Sequence, residues 1–176
     1  MHVRINTSYG PIVAELNREQ APISVENFLA YADDGAYDGT IFHRVIDGFV
    51  VQGGGFEPDF EKRPTRAPIK NESQNDLKNT AGTLAMARTQ EPDSATNQFF
   101  INLSDNSFLD TARPETGGAA YTVFGRVEDG MDVVRRIASV PTSTQRGMQD
   151  VPVEPVLIES VERIPADETS GGGGEG

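Results

Sequence analysis

The chain has 176 residues, 36% of them hydrophobic, with nine phenylalanines and no tryptophan, a size that suits one domain around one core. Fifteen basic residues against 27 acidic give a net charge of −12 without any basic stripe, which disfavours nucleic acid as a partner because phosphate binding needs concentrated positive charge. Cysteine is absent, so disulfides, thiolate nucleophiles and cysteine-ligated metal sites are excluded.

The opening MHVRINTSYG has no apolar signal core, and no stretch reaches the roughly 18 apolar residues that a spanning helix needs. A soluble, cytoplasmic protein without a membrane partner is expected. Val3 and Ile5, then Ile12, Ala14 and Leu16, alternate with polar residues around the turn Ser8-Tyr9-Gly10 and predict a β-hairpin. From Pro22 the period changes: Val25, Phe28, Leu29 and Ala32 share one helical face, with proline in the first turn and Asp33-Asp34-Gly35 as the end. Short β-type runs follow at residues 41–46, 49–52, 83–87, 99–103, 121–127 and 156–164, separated by Gly, Pro, Asn and Asp. A second helix is predicted over residues 131–140, where Val133, Val134 and Ile137 share a face before Pro141. About eight strands and two helices point to a mainly β barrel or sandwich.

Two long loops, residues 54–81 and 110–120, are expected to border a site. Residues 1–164 read as one domain, and residues 165–176 as a disordered, Gly-rich acidic tail.

Most familiar chemistry finds no support. There are two histidines, His2 and His43, in separate segments, so no metal site is assigned, and no G-x-S-x-G elbow is present for a triad. Gly53-Gly54-Gly55 is followed by neither a Gly-Lys-Ser/Thr motif nor a helical pattern, and reads as close backbone approach. Asp33-Asp34 and Asp105 read as turn carboxylates. The residues that remain are apolar or hydrogen-bonding. In a strand over residues 49–52, Phe49 and Val51 would face one side, Val50 and Gln52 the other.

In this order, FHRVIDGFVVQGGGF, PIKNE, GTLAMAR, NQFFIN and YTVFGRVEDGMDVV resemble the bacterial cytoplasmic branch of the cyclophilins, over about residues 1–164. The resemblance implies a closed eight-stranded antiparallel β-barrel capped by two α-helices, with substrate in a surface groove. It implies peptidyl-prolyl cis/trans isomerase activity on proline-containing peptides and on unfolded or folding proteins, without a cofactor. Carried over residue by residue, it places Arg44, Gln52, Phe49 and Phe100 in the catalytic set. Val50, Met86, Ala87, Arg88, Gln98, Phe108, Leu109 and Tyr121 form the substrate wall.

Each has a plainer reading. An arginine among 27 carboxylates is ordinarily an ion-pair partner. Phe49, Phe100, Leu109 and Met86 are ordinarily core, Phe99 is expected to be core in any case, and Gln52 and Gln98 can satisfy strand backbone. His43 is expected to pack in the barrel wall, since isomerisation transfers no proton.

Val50 stands where many relatives carry Met, which shortens the pocket wall. Phe108 stands where cyclosporin-sensitive members carry Trp, whose N–H can donate a hydrogen bond, so weak cyclosporin binding is expected. A module that holds proline segments with little turnover is the competing function, a small-ligand barrel a distant third. No long heptad favours assembly, and a monomer is expected.

Overall fold

The computed structural model describes residues 1–165; apart from Pro165, the expected tail lies outside the described residues. The first hairpin pairs β1 (His2–Thr7) with β2 (Gly10–Leu16), sending Val3, Ile5, Ile12, Ala14 and Leu16 inward. Helix α1 (Pro22–Asp33) buries Val25, Phe28, Leu29 and Ala32, as their spacing requires. Its N-terminus has no local side-chain cap. Instead Glu72, from the PIKNE segment, accepts hydrogen bonds from the Ile23 and Ser24 amides at 3.1 and 2.8 Å, satisfying two of the groups that a helix start leaves open.

The remaining strands are β3 (Thr40–Ile41), β4 (Arg44–Ile46), β5 (Val50–Gly53), β6 (Thr83–Met86), β7 (Phe99–Asn102) and β8 (Val123–Asp129). After helix α2 (Met131–Ala138) come β9 (Thr142–Gln145), β10 (Met148–Pro152) and β11 (Leu157–Ile164). Nine strands make one antiparallel sheet in the order β3-β11-β1-β2-β8-β6-β7-β5-β4, and β9 with β10 form a separate ribbon.

The expected closed barrel of eight strands is therefore corrected to a curled sheet of nine with an open ladder. The run read as one strand over 41–46 breaks at Phe42–His43, where the Phe42 amide turns to the Val156 carbonyl. Its two halves become the sheet's two edges, β3 and β4. Only isolated bonds cross the gap: Ile41 donates to Phe56 O at 3.0 Å, and Gly54 donates to Ile41 O at 3.3 Å. Glycine is required at this seam, since a Cβ on Gly53 would stand 2.5 Å from the Ile41 carbonyl oxygen. The glycine run is thus a crossing point of two backbones.

The β9–β10 ribbon escapes the sequence reading because only Val151 and Pro152 of its strand residues are buried and it shows no apolar alternation. Its turn uses positive φ at both Arg146 and Gly147, the primed geometry that matches strand twist.

The interior is filled from both helices and the inward strand faces, around Phe28, Tyr37, Phe42, Phe99 and Phe124. Phe28 meets Phe99 edge to face at 5.2 Å. A second, smaller apolar cluster forms on the outer face of β5, β7, β6 and β8 from Val50, Phe100, Ala85, Val123 and the loop residue Leu109. Where they carry this cluster the four strands are buried on both sides, and the cluster floors the groove.

Candidate active site

Alternation on the paired strands sorts the predicted residues. In β5, Val51 enters the core while Val50 and Gln52 face outward, with Gln52 opposite Arg44 of β4 and Phe100 of β7. Phe49 does not follow Val51 inward, because it precedes the strand in a turn closed by its amide on Ile46 O, with Gly48 at φ 79°. Freed from the strand's period, its ring lies at the groove rim.

One cavity of about 330 Å³ is lined by Arg44, Phe49, Val50, Gln52, Ala87, Arg88, Phe100, Phe108, Leu109 and Tyr121, together with Arg113 and Thr116. Two predicted residues are not in that lining. Met86 is corrected to a core residue, 2% exposed, because in β6 Leu84 and Met86 point inward and Ala85 outward. Gln98 lines an adjoining cavity of about 170 Å³ that shares Gln52, Ala87 and Arg88 with the first, and its Oε1 accepts from Gln52 Nε2 at 3.0 Å. Gln52 Oε1 in turn accepts from Arg44 Nη1 at 3.2 Å. The amide of Gln52 can donate to Gln98 and accept from Arg44 in only one orientation, so this chain of bonds fixes which end faces the arginine.

The charges of the groove are unusual for so acidic a chain. Its lining holds three arginines and no carboxylate, and none of the ion pairs among the described residues involves Arg44, Arg88 or Arg113. Arg88 is occupied by the protein itself. It donates to the carbonyls of Thr89, Thr116, Ala119 and Ala120 at 2.7–3.2 Å and lies 4.4 Å from the Tyr121 ring centroid. It clamps the loop that carries Thr116. Arg44 keeps the rest of its fork beside the apolar floor, its guanidinium carbon 5.9 Å from the Phe49 ring centroid.

Beneath the rim, a network that sequence reasoning missed holds the wall in place. Asn102 donates to Asn79 Oδ1 at 2.9 Å, and Asn106 donates to Asn102 Oδ1 at 2.8 Å and to Phe49 O at 3.1 Å. The Asn79 amide and side chain both donate to Asp110 Oδ1, at 2.7 and 2.9 Å, on either side of a 3-10 turn over Ser107–Asp110 that carries Phe108 and Leu109. All three asparagines are buried, which is tolerable because their polar groups are paired.

His43, adjacent to Arg44, packs its ring on Phe56 at 4.6 Å. Burial first, and the Arg44 charge second, hold its imidazole down to about 4, so it is neutral near pH 7.

Outside the groove, His2, Glu15 and Glu128 bring ligand-type atoms within 4.8 Å of one another. Arg126 already joins them as an ion-pair patch, 2.7 Å from Glu15 Oε1. A larger depression of about 510 Å³ between β2, β8 and the segment around Leu77 contains none of the predicted residues.

The family model of cyclophilin-type peptidyl-prolyl cis-trans isomerases matches residues 2–163. The chain is 58% identical to peptidyl-prolyl cis-trans isomerase cyp18 of Streptomyces antibioticus, over 90% of this chain and 95% of that protein. Against peptidyl-prolyl cis-trans isomerase B of Escherichia coli strain K12 the identity is 55%, over 90% and 97%. Among solved structures, a cyclophilin-type isomerase of Cryptosporidium parvum crystallised in the presence of the dipeptide Ala-Pro superposes with a TM-score of 0.73. That match has 27% identity and covers 94% of this chain and 99% of the other.

Proposed function

Since the chain belongs to the cyclophilin-type peptidyl-prolyl cis-trans isomerase family and is itself such an enzyme, we propose that Arg44 is the residue on which its catalysis turns. Rotation about an Xaa–Pro bond breaks no covalent bond but must cross a resonance barrier of roughly 18–20 kcal/mol. At the top of the barrier the amide nitrogen becomes pyramidal and gains a lone pair. A guanidinium can donate to that nitrogen or to the adjacent carbonyl without losing its own proton. Catalysis requires that this bond be stronger in the twisted form than in either planar isomer.

The observation that carries this reading is the state of Arg44: one N–H held by Gln52, no carboxylate partner, and an apolar floor alongside. Phe49, Phe100 and Leu109 are proposed to hold the pyrrolidine ring, and Gln52 to aim the guanidinium. Gln98 is assigned as a positioning residue for Gln52. The ligand is an Xaa-Pro segment of an unfolded or folding protein; the Ala-Pro dipeptide in the crystals of the Cryptosporidium parvum relative supports that class.

We further take residues 1–164 as one isomerase domain acting as a monomer, with weak cyclosporin affinity because Phe108 has no N–H to offer. A cytoplasmic site of action is proposed, with which the absence of cysteine is compatible. No helix among the described residues is long and apolar enough to cross a membrane. The test is exchange NMR on a proline peptide with the wild type and Arg44→Ala: acceleration by the first and its near loss in the second are expected, and full activity in Arg44→Ala would remove the assignment.

A further inference from the structure

Four side chains along the groove rim form one continuous stack. The Arg44 guanidinium carbon lies 5.9 Å from the Phe49 ring centroid, Phe49 and Phe108 stack at 5.6 Å with 23° between their planes, and the Arg113 guanidinium carbon lies 5.7 Å from the Phe108 centroid. Two cations thus bracket two aromatic faces. Phe108 is 45% exposed, so the outer end of the stack is open to a bound peptide.

Arg113 differs from Arg88 in the state of its fork. Among the described residues that fork makes one hydrogen bond, from Nη2 to Phe108 O at 3.2 Å, although the Nε atoms of both arginines are buried without a partner. The remaining N–H groups of that fork are left for a ligand oxygen. Arg88 cannot serve in its place, because its fork is occupied by four backbone carbonyls, and Arg44 is required at the amide.

We propose that the groove selects Xaa-Pro segments bearing a carboxylate side chain within two residues of the proline, and that Arg113 reads that carboxylate. The inference rests on the isomerase reading of the groove. A chain of net charge −12 repels acidic segments at long range, yet a cavity lined by three arginines and no carboxylate reverses that locally. The pairing is of short reach, since exposed charges are screened over about 8 Å at physiological ionic strength. An arginine fork is suited to it because it can grip both carboxylate oxygens.

Short peptides carrying Glu or the isosteric Gln, one or two positions before or after the proline, test this. Exchange NMR gives kcat/KM and shift titration gives Kd. On one flank, Glu is expected to raise kcat/KM and to lower Kd by about three- to tenfold relative to Gln at low salt, both ratios shrinking toward one at about 1 M salt. In Arg113→Gln the ratio falls to about one, and Arg113→Lys keeps part of it, separating charge from packing on Phe108. A ratio within about twofold at every position, or one that survives Arg113→Gln, overturns the proposal. If no peptide is accelerated the isomerase reading fails, while the Kd ratio still decides this one.

Discussion

The bonds from Gln98 through Gln52 to Arg44 can be tested as a unit. Truncating Arg44 to Ala removes a donor aimed at charge that develops in the transition state, a loss of about 3–4 kcal/mol, or two to three orders of magnitude in kcat/KM. Gln98→Leu removes only the 3.0 Å bond that fixes the Gln52 amide. One neutral hydrogen bond is worth about 1 kcal/mol, so this change is expected to cost about fivefold. Because Gln98 acts through Arg44, the same substitution in an Arg44→Ala background should cost almost nothing further. Exchange NMR on one Xaa-Pro peptide supplies the four rates, and thermal melts show that each variant is folded. If Gln98→Leu lowers the rate by the same factor in both backgrounds, the positioning role is refuted and Gln98 matters only for packing.

The seam predicts that Gly53→Ala lowers stability by about 1–3 kcal/mol, because a Cβ there meets a fixed backbone oxygen. That loss is read as a fall in Tm of about 2–12 °C, and an unchanged Tm would contradict the crossing. His43 is neutral when folded and titrates near 6.5 when unfolded. The unfolded chain therefore binds more protons between about pH 4 and 6.5. The stability that His43 contributes is complete above pH 6.5 and is lost as pH falls toward 4, by at most about 3 kcal/mol. Urea titrations at pH 7 and pH 4 should show that part of the acid loss missing from His43→Phe, and equal losses in both proteins would argue against a buried neutral imidazole. Phe108→Trp should tighten cyclosporin binding in calorimetric titration, because the indole brings a donor to the exposed rim; equal, tight affinities before and after would sink that idea.

What could be read from the sequence followed from period. The faces of both helices and the opening hairpin came from spacing alone, because one side of each element meets a single core. Resemblance, not spacing, singled out Arg44, whose composition-level reading was a surface ion pair; the absence of any carboxylate partner could be seen only in three dimensions. Met86 went astray because β6 is buried on both faces, so hydrophobicity cannot separate core from groove. Gln98 and Gln52 look alike in sequence, and only the structure shows that Gln52 meets Arg44 while Gln98 holds the other end of the Gln52 amide. Arg113, Thr116 and the asparagine network lie wholly or largely in irregular backbone, where no period marks a side chain's direction. The break at Phe42–His43 was hidden because both halves of the run are β-like. What separates them is a backbone bond to Val156, more than a hundred residues away in the chain.

The doubly buried strands divide the enzyme into parts of unequal freedom. Phe99 and Phe100, Val51 and Val50, Leu84 and Ala85 are chain neighbours that serve the core and the groove respectively. A change of volume on one face displaces the other through a shared backbone, so the floor can hardly be retuned without risk to folding. Phe108, Arg113, Thr116 and Tyr121 stand on separate backbone outside those strands. Divergence in peptide preference between related isomerases should therefore accumulate on this rim, and engineered selectivity should be sought there first, with the floor left as the invariant tool.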